Sequence, residues 1–65
     1  MTTSDYYTES VPLSVVTVGA WTLEVGALPD GRFCVDYFNR FNGERTRHYF
    51  TTQDEANAEV STWTR

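Results

Sequence analysis

Two short stretches decide how this chain folds: Leu28-Pro29-Asp30-Gly31-Arg32 and Phe41-Asn42-Gly43-Glu44. Each lies between runs that alternate apolar and polar residues, at 21–28, 32–40 and 44–50. Turn residues flanked by such alternation are the sequence pattern of β-hairpins. A three-residue Pro29-Asp30-Gly31 loop with Gly31 left-handed pairs Leu28 with Arg32, Val25 with Val35 and Leu23 with Tyr37. A two-residue Asn42-Gly43 turn pairs Phe41 with Glu44, Asn39 with Thr46, Tyr37 with His48 and Val35 with Phe50. The two readings agree on faces. One face collects Trp21, Leu23, Val25, Ala27, Phe33, Val35, Tyr37, Asn39, Thr46, His48 and Phe50, and is the core face. The other collects Thr22, Glu24, Gly26, Cys34, Asp36, Phe38, Arg40, Arg45, Arg47 and Tyr49.

Working outward, residues 11–18 are β-branched and strand-like, with Pro12 restricting that strand to an edge or its first positions. Gly19-Ala20 is read either as a II′-type turn or as a bend within one continuous strand. On the other side, Thr52 followed three residues later by Glu55 is a capping box, and Asp54 and Glu55 suit the start of a helix. Ala56, Val60 and Trp63 fall at i, i+4 and i+7, so a helix over roughly 53–62 lays one apolar stripe on the sheet. The fold class expected is α+β: an antiparallel meander of three to four strands with one C-terminal helix packed on one face. Residues 1–10, polar around Tyr6 and Tyr7, read as a flexible tail, and 11–65 as a single small domain.

Sixty-five residues bury a limited core. With one cysteine, Cys34, neither an internal disulfide nor a cysteine-based zinc site is open to the chain. Stability must come from packing, for which two Trp, four Tyr and four Phe are available. The N-terminal stretch has no basic residue and no apolar core of the signal-peptide kind, and the apolar run at 11–18 is far shorter than a membrane span. The expectation is a cytoplasmic protein without a membrane partner. The net charge is −4, with five arginines and no lysine, which argues against general nucleic-acid binding by the whole surface.

The second sheet face draws attention. In the register above, Phe38 lies opposite Arg47, Arg40 opposite Arg45 and Tyr49 opposite Asp36, with Phe41 at the adjoining turn. Arginine and aromatic residues dominate binding hot spots, and like charges facing each other across strands need a reason. Phe38, Arg40, Phe41, Arg45, Arg47 and Tyr49 are therefore the candidate partner-binding residues. The competing explanation is structural: arginine stems cover Phe38 and Tyr49, while Glu24 and Asp36 balance their charge. Asp54, Glu55 and Glu59, with the tail acids Asp5 and Glu9, form a secondary acidic surface.

Signs of catalysis are few. His48, the only histidine, falls on the core face near Tyr37, where a buried or half-buried structural imidazole is expected. Cys34 falls on the opposite face with no cation forced near it, which disfavours a nucleophile and a Cys–His pair. Glu24 and Asp36 pair across strands, but a glycosidase-like pair needs a deep cleft. No spacing matches a calcium loop, zinc motif or phosphate loop. No catalytic residue, cofactor or metal is expected.

Trp21-Thr22-Leu23-Glu24-Val25, then Asp30-Gly31, then Tyr49-Phe50-Thr51-Thr52-Gln53-Asp54-Glu55-Ala56 resembles the arm-binding N-terminal domain of tyrosine recombinases. The resemblance implies a three-stranded sheet followed by a helix, with the open sheet face entering a DNA major groove through Phe38, Arg40, Arg45, Arg47 and Tyr49. Those domains are basic and lysine-rich, whereas this chain is acidic and has no lysine. The function expected first is thus a small acidic protein-binding module, similar in size and charge to phage or mobile-element proteins that inhibit or regulate a host machine, as anti-CRISPR proteins do. The alternative is a nucleic-acid reader using the open face. Self-association through that face or through an edge strand would add burial to a small core.

Overall fold

The computed structural model describes residues 10–64; of the N-terminal tail, everything before Ser10 lies outside the described residues, Asp5, Tyr6, Tyr7 and Glu9 included. Four antiparallel strands, β1 (Val11–Val18), β2 (Trp21–Ala27), β3 (Phe33–Asn39) and β4 (Arg45–Phe50), form one sheet in the order β1-β2-β3-β4, followed by helix α1 (Gln53–Thr64). The architecture is the α+β meander with a C-terminal helix.

The β1–β2 connection is the tight turn. Val18 pairs with Trp21 across Gly19-Ala20, and Gly19 has φ 60° while Ala20 stays at negative φ, the dihedral pattern of a II′ turn. Pro12 sits in the edge strand, and Leu13 is an extra residue between the pairs Pro12–Gly26 and Ser14–Val25. Such a bulge breaks the regularity of an exposed edge.

The β2–β3 loop also forms as read. The Leu28 amide donates to the Arg32 carbonyl at 2.8 Å, Gly31 has φ 92°, and Val25 pairs with Val35 and Leu23 with Tyr37. The Asp30 carboxylate holds the loop, accepting from the Arg32 backbone amide at 3.0 Å and from its Nε at 2.8 Å.

The β3–β4 connection differs from the expected two-residue turn. It is a four-residue loop, Arg40-Phe41-Asn42-Gly43, closed by the Asn39 amide donating to the Glu44 carbonyl at 2.9 Å. Asn39 Oδ1 accepts from the amides of Phe41 at 2.9 Å and Asn42 at 3.3 Å, Asn42 Oδ1 accepts from the Glu44 amide at 2.8 Å, and Gly43 takes φ 76°. Asparagine side chains that bond their own backbone in this way nucleate wider turns. The register therefore slides by two residues: Val35 pairs with His48, Asp36 with Arg47, Tyr37 with Thr46 and Phe38 with Arg45. A slide of two keeps every side chain on its expected face and changes all the partners.

Helix α1 starts at the capping box. Thr52 Oγ1 accepts from the Glu55 amide at 3.2 Å, and Glu55 Oε1 accepts from the amides of Thr52 at 3.3 Å and Thr51 at 3.1 Å and from Thr51 Oγ1 at 2.9 Å. Those donors hold the Glu55 carboxyl below its ordinary value, the Thr51 hydroxyl contributing most. Ala56 and Val60 reach the sheet and join Leu23, Val25, Val35 and Tyr37 in the buried core, with Val16, Val18, Trp21, Phe33, Phe50 and Trp63 packed around it. Thr46 and His48 stand on this core face and are nonetheless exposed. They lie on an edge strand that the helix does not fully cover.

Candidate functional site

The face away from the helix is organised in three rows across the strands: Pro12–Gly26–Cys34–Tyr49, Val15–Glu24–Asp36–Arg47 and Thr17–Thr22–Phe38–Arg45. Its centre is closed. Arg47 Nε donates to Asp36 Oδ1 at 2.6 Å and its Nη2 to Oδ2 at 3.0 Å, with the arginine side chain 3% exposed and the aspartate 16%. The hydrogen bonds to Asp36 hold the Arg47 guanidinium even more firmly protonated than usual. Arg47 Nη2 also reaches Ser10 Oγ at 3.2 Å. Ser10 lies directly over Gly26, where a Cβ would come within 3.0 Å of the Ser10 Cβ and 3.3 Å of Cys34 Sγ. Cys34 is fully buried beneath this lid, and burial, then the charge of Asp36, pushes its thiol up. A high-pKa, inaccessible thiol is a packing residue.

Of the six partner-binding residues read from the sequence, Arg45, Arg47 and Tyr49 alternate along one face of β4 with Phe38 beside Arg45, while Arg40 and Phe41 lie in the β3–β4 loop. Arg45 stands over the Phe38 ring at 4.6 Å. Tyr49, at the other end of β4, is covered instead by Arg32 at 4.9 Å, an arginine the sequence reading left out. Arg40 stands over Phe41 at 5.5 Å within the β3–β4 loop, where Phe41 is 80% exposed. Neither Arg40 opposite Arg45, nor Phe38 opposite Arg47, nor Tyr49 opposite Asp36 occurs, because each depended on the two-residue turn. The like-charge opposition that called for an explanation is replaced by three arginine–aromatic pairs and one buried ion pair. Glu24 does pair with Asp36 as read, but the Asp36 carboxylate is taken by Arg47.

The acidic residues also separate. Asp54 and Glu55 are exposed, while Glu59 is half-buried rather than part of a solvated helix face. Glu59 Oε2 accepts from the Tyr37 hydroxyl at 2.7 Å and from Trp63 Nε1 at 3.1 Å. These bonds, led by Tyr37, hold the Glu59 carboxyl below its ordinary value, and burial with the same carboxylate pushes Tyr37 up. His48 is exposed, not buried, and meets the edge of the Tyr37 ring at 5.1 Å between centroids. The sequence reading placed Glu59 on the acidic surface but missed its bonds to Tyr37 and Trp63. Its signal was the i, i+4 spacing to Trp63 on the stripe-bearing side of the helix.

A concavity lies here, beside the helix. A shallow trough of about 620 Å³ runs between the last residues of β4 and one side of α1, lined by Tyr49, Phe50, Thr51, Glu55, Ala58, Glu59 and Thr62, with Arg32 at its rim. A second recess of about 190 Å³ continues past Glu59 toward Trp21, Tyr37, Thr46, His48 and Trp63. Thr46, His48 and Phe50 are the helix-facing residues of β4, so the two recesses form one groove along an edge strand. Because Asn39 and Glu44 are a hydrogen-bonded pair and pairs alternate along an antiparallel ladder, Arg45, Arg47 and Tyr49 turn their backbone N–H and C=O groups away from β3. β4 ends the sheet, and those groups face the space beside the groove.

Among the described residues there is no group of three or more His, Cys, Asp or Glu placed to hold a metal ion, and no helix is long and apolar enough to cross a membrane. Compared with protein-family models, with curated proteins and with solved structures, the chain matches none.

Proposed function

We propose that the chain is a small protein-binding module that takes an extended segment of a partner polypeptide along the outer edge of β4, with alternate partner side chains seated in the groove against α1. The observation that carries this reading is the coincidence of the strand that ends the sheet order, β4, with a groove on its helix-facing side. Strand addition works in this way: backbone bonds supply affinity, and pockets for every second side chain supply selectivity. The groove presents Phe50, Ala58 and the stem of Thr62 beside the carboxylates of Glu55 and Glu59, which favours a partner segment with apolar and basic residues in alternation. A module of this kind, with a net charge of −4, acts by occupying a surface on a larger assembly, as an inhibitor or regulator does.

Reading nucleic acid with the face opposite the helix has less support. Of its central arginines, Arg47 is committed to Asp36 and Ser10, and Arg45 lies over Phe38. A net charge of −4 gives the phosphate backbone little attraction.

The test is selection from a random peptide library on the wild-type protein, followed by binding to an edge-blocked variant carrying Arg45→Pro and Tyr49→Pro. Proline at outward-facing edge positions removes a donor without touching the β3–β4 ladder. Convergent peptides that lose binding to the blocked variant support strand addition. Peptides that bind both proteins alike contradict it.

A further inference from the structure

At the far end of the groove the recess past Glu59 has an unusual wall. Trp21 and Trp63 meet edge to face, with centroids 5.8 Å apart and planes at 61°. Tyr37 tilts against Trp63 at 5.6 Å and 47°, and His48 stands on the other side of Tyr37. Tyr37 is buried and forms the floor, while Trp21 and Trp63 are half-buried and form the sides. Trp21, Tyr37, His48 and Trp63 together line a cavity of about 190 Å³.

The same volume holds one carboxylate. Glu59 Oε2 is fixed by the Tyr37 hydroxyl and Trp63 Nε1, whereas no hydrogen bond among the described residues falls on its Oε1. Among the described residues that line the recess there is no arginine. Aromatic faces carry negative potential, and a carboxylate set among them by two donors adds a full negative charge in a partly desolvated place. The combination is that of a cation site.

We propose that this aromatic recess binds an alkylammonium group, with its methyl or methylene groups against Trp21 and Trp63 and its charge beside Glu59. The indoles provide both the apolar contact and the cation–π attraction, and Glu59 selects charge over shape. The chain's own acidity draws such a ligand in. The inference stands apart from strand addition at β4, since a free cation needs no strand edge, and either reading can fail alone.

The experiment follows the two indole Nε1–H resonances and indole fluorescence while the full chain is titrated with choline, with its uncharged isostere 3,3-dimethylbutan-1-ol, and with N-acetyl-trimethyllysine amide. Choline and the trimethyllysine amide are expected to shift both indoles saturably, and the neutral isostere to bind about tenfold more weakly. Tighter binding of the amide than of choline marks a polypeptide side chain as the source of the ammonium; the reverse marks a free quaternary amine. Glu59→Gln keeps an acceptor for Tyr37 and is expected to weaken choline about tenfold while leaving the isostere unchanged. The comparison of choline with its isostere needs no variant, so it decides the matter even where Glu59→Gln unfolds. Equal shifts by choline and isostere, or no shift by either, overturn the proposal.

Discussion

Arg47 and Asp36 face each other across β3 and β4, and the guanidinium donates two hydrogen bonds to the carboxylate, at 2.6 and 3.0 Å, on a part of the sheet that is nearly dry. The pair occupies the central cation of the arginine face: its charge is met by Asp36, and Ser10 sits beside it. It also anchors the β3–β4 register, because a slide of two residues in either direction would leave a buried guanidinium opposite Phe38 or Cys34.

Removing one partner strands a charge in low dielectric, whereas removing both together leaves none. Arg47→Met and Asp36→Leu are each expected to lower stability by about 3 kcal/mol. The double replacement Asp36→Leu with Arg47→Met should lie close to wild type. Urea unfolding of the four proteins measures the cycle, and additive losses would deny the coupling.

The acid limb of stability should carry the signature of Glu59. Its carboxyl is held below the ordinary value by Tyr37 and Trp63, so the folded state binds its proton less readily than the unfolded chain does. The stability it contributes is complete above the unfolded value of about 4.3 and is lost as pH falls through the lower folded one. Thermal unfolding followed from pH 7 to pH 3 should show a shallower acid decline in Glu59→Gln than in wild type. Parallel declines would mean that the two hydrogen bonds do not favour the carboxylate.

Cys34 should be chemically silent. Its thiol is buried under Ser10 and pushed up by that burial and by Asp36. Reaction with a disulfide reagent at neutral pH is expected to be slow in the native protein and to become fast only when unfolding is induced by urea. Rapid native-state labelling would show that the Ser10 lid opens freely.

The β3–β4 loop offers a test of the register itself. Asn39→Ala deletes the acceptor used by the Phe41 and Asn42 amides and should cost about 1 kcal/mol. A two-residue Asn42-Gly43 turn would make Asn39 an ordinary strand residue, and the same substitution would then be close to neutral. Chemical denaturation distinguishes the two.

How far the sequence could be read follows from this loop. Pro29-Asp30-Gly31 was legible because its length and glycine position allow one closure, and β2–β3 pairing followed residue by residue. The helix start was legible because Thr52 and Glu55 form a local, reciprocal motif. Asn42-Gly43 was misread because Asn39, three residues earlier at the end of β3, competes for the same turn through its side chain. The strand alternation could not arbitrate, since both registers bury the same face. The candidate site suffered more than the fold. Faces depend on parity alone, but Arg47 meeting Asp36 and Arg32 reaching Tyr49 depend on register. The groove beside β4 was hidden for a different reason. It arises from where α1 lies across the sheet, leaving Thr46 and His48 uncovered, and no periodicity within a single element records that placement.

The central claim is that the β4 edge and the α1 groove together form the binding surface. The direct measurement is an amide chemical-shift map of the protein with and without a library-selected peptide. The account predicts the largest changes at the outward amides of Arg45, Arg47 and Tyr49 and along Glu55, Ala58 and Thr62 of α1. Changes confined to β1, or to Thr22 and Phe38 on the opposite face with β4 and α1 unmoved, would contradict it.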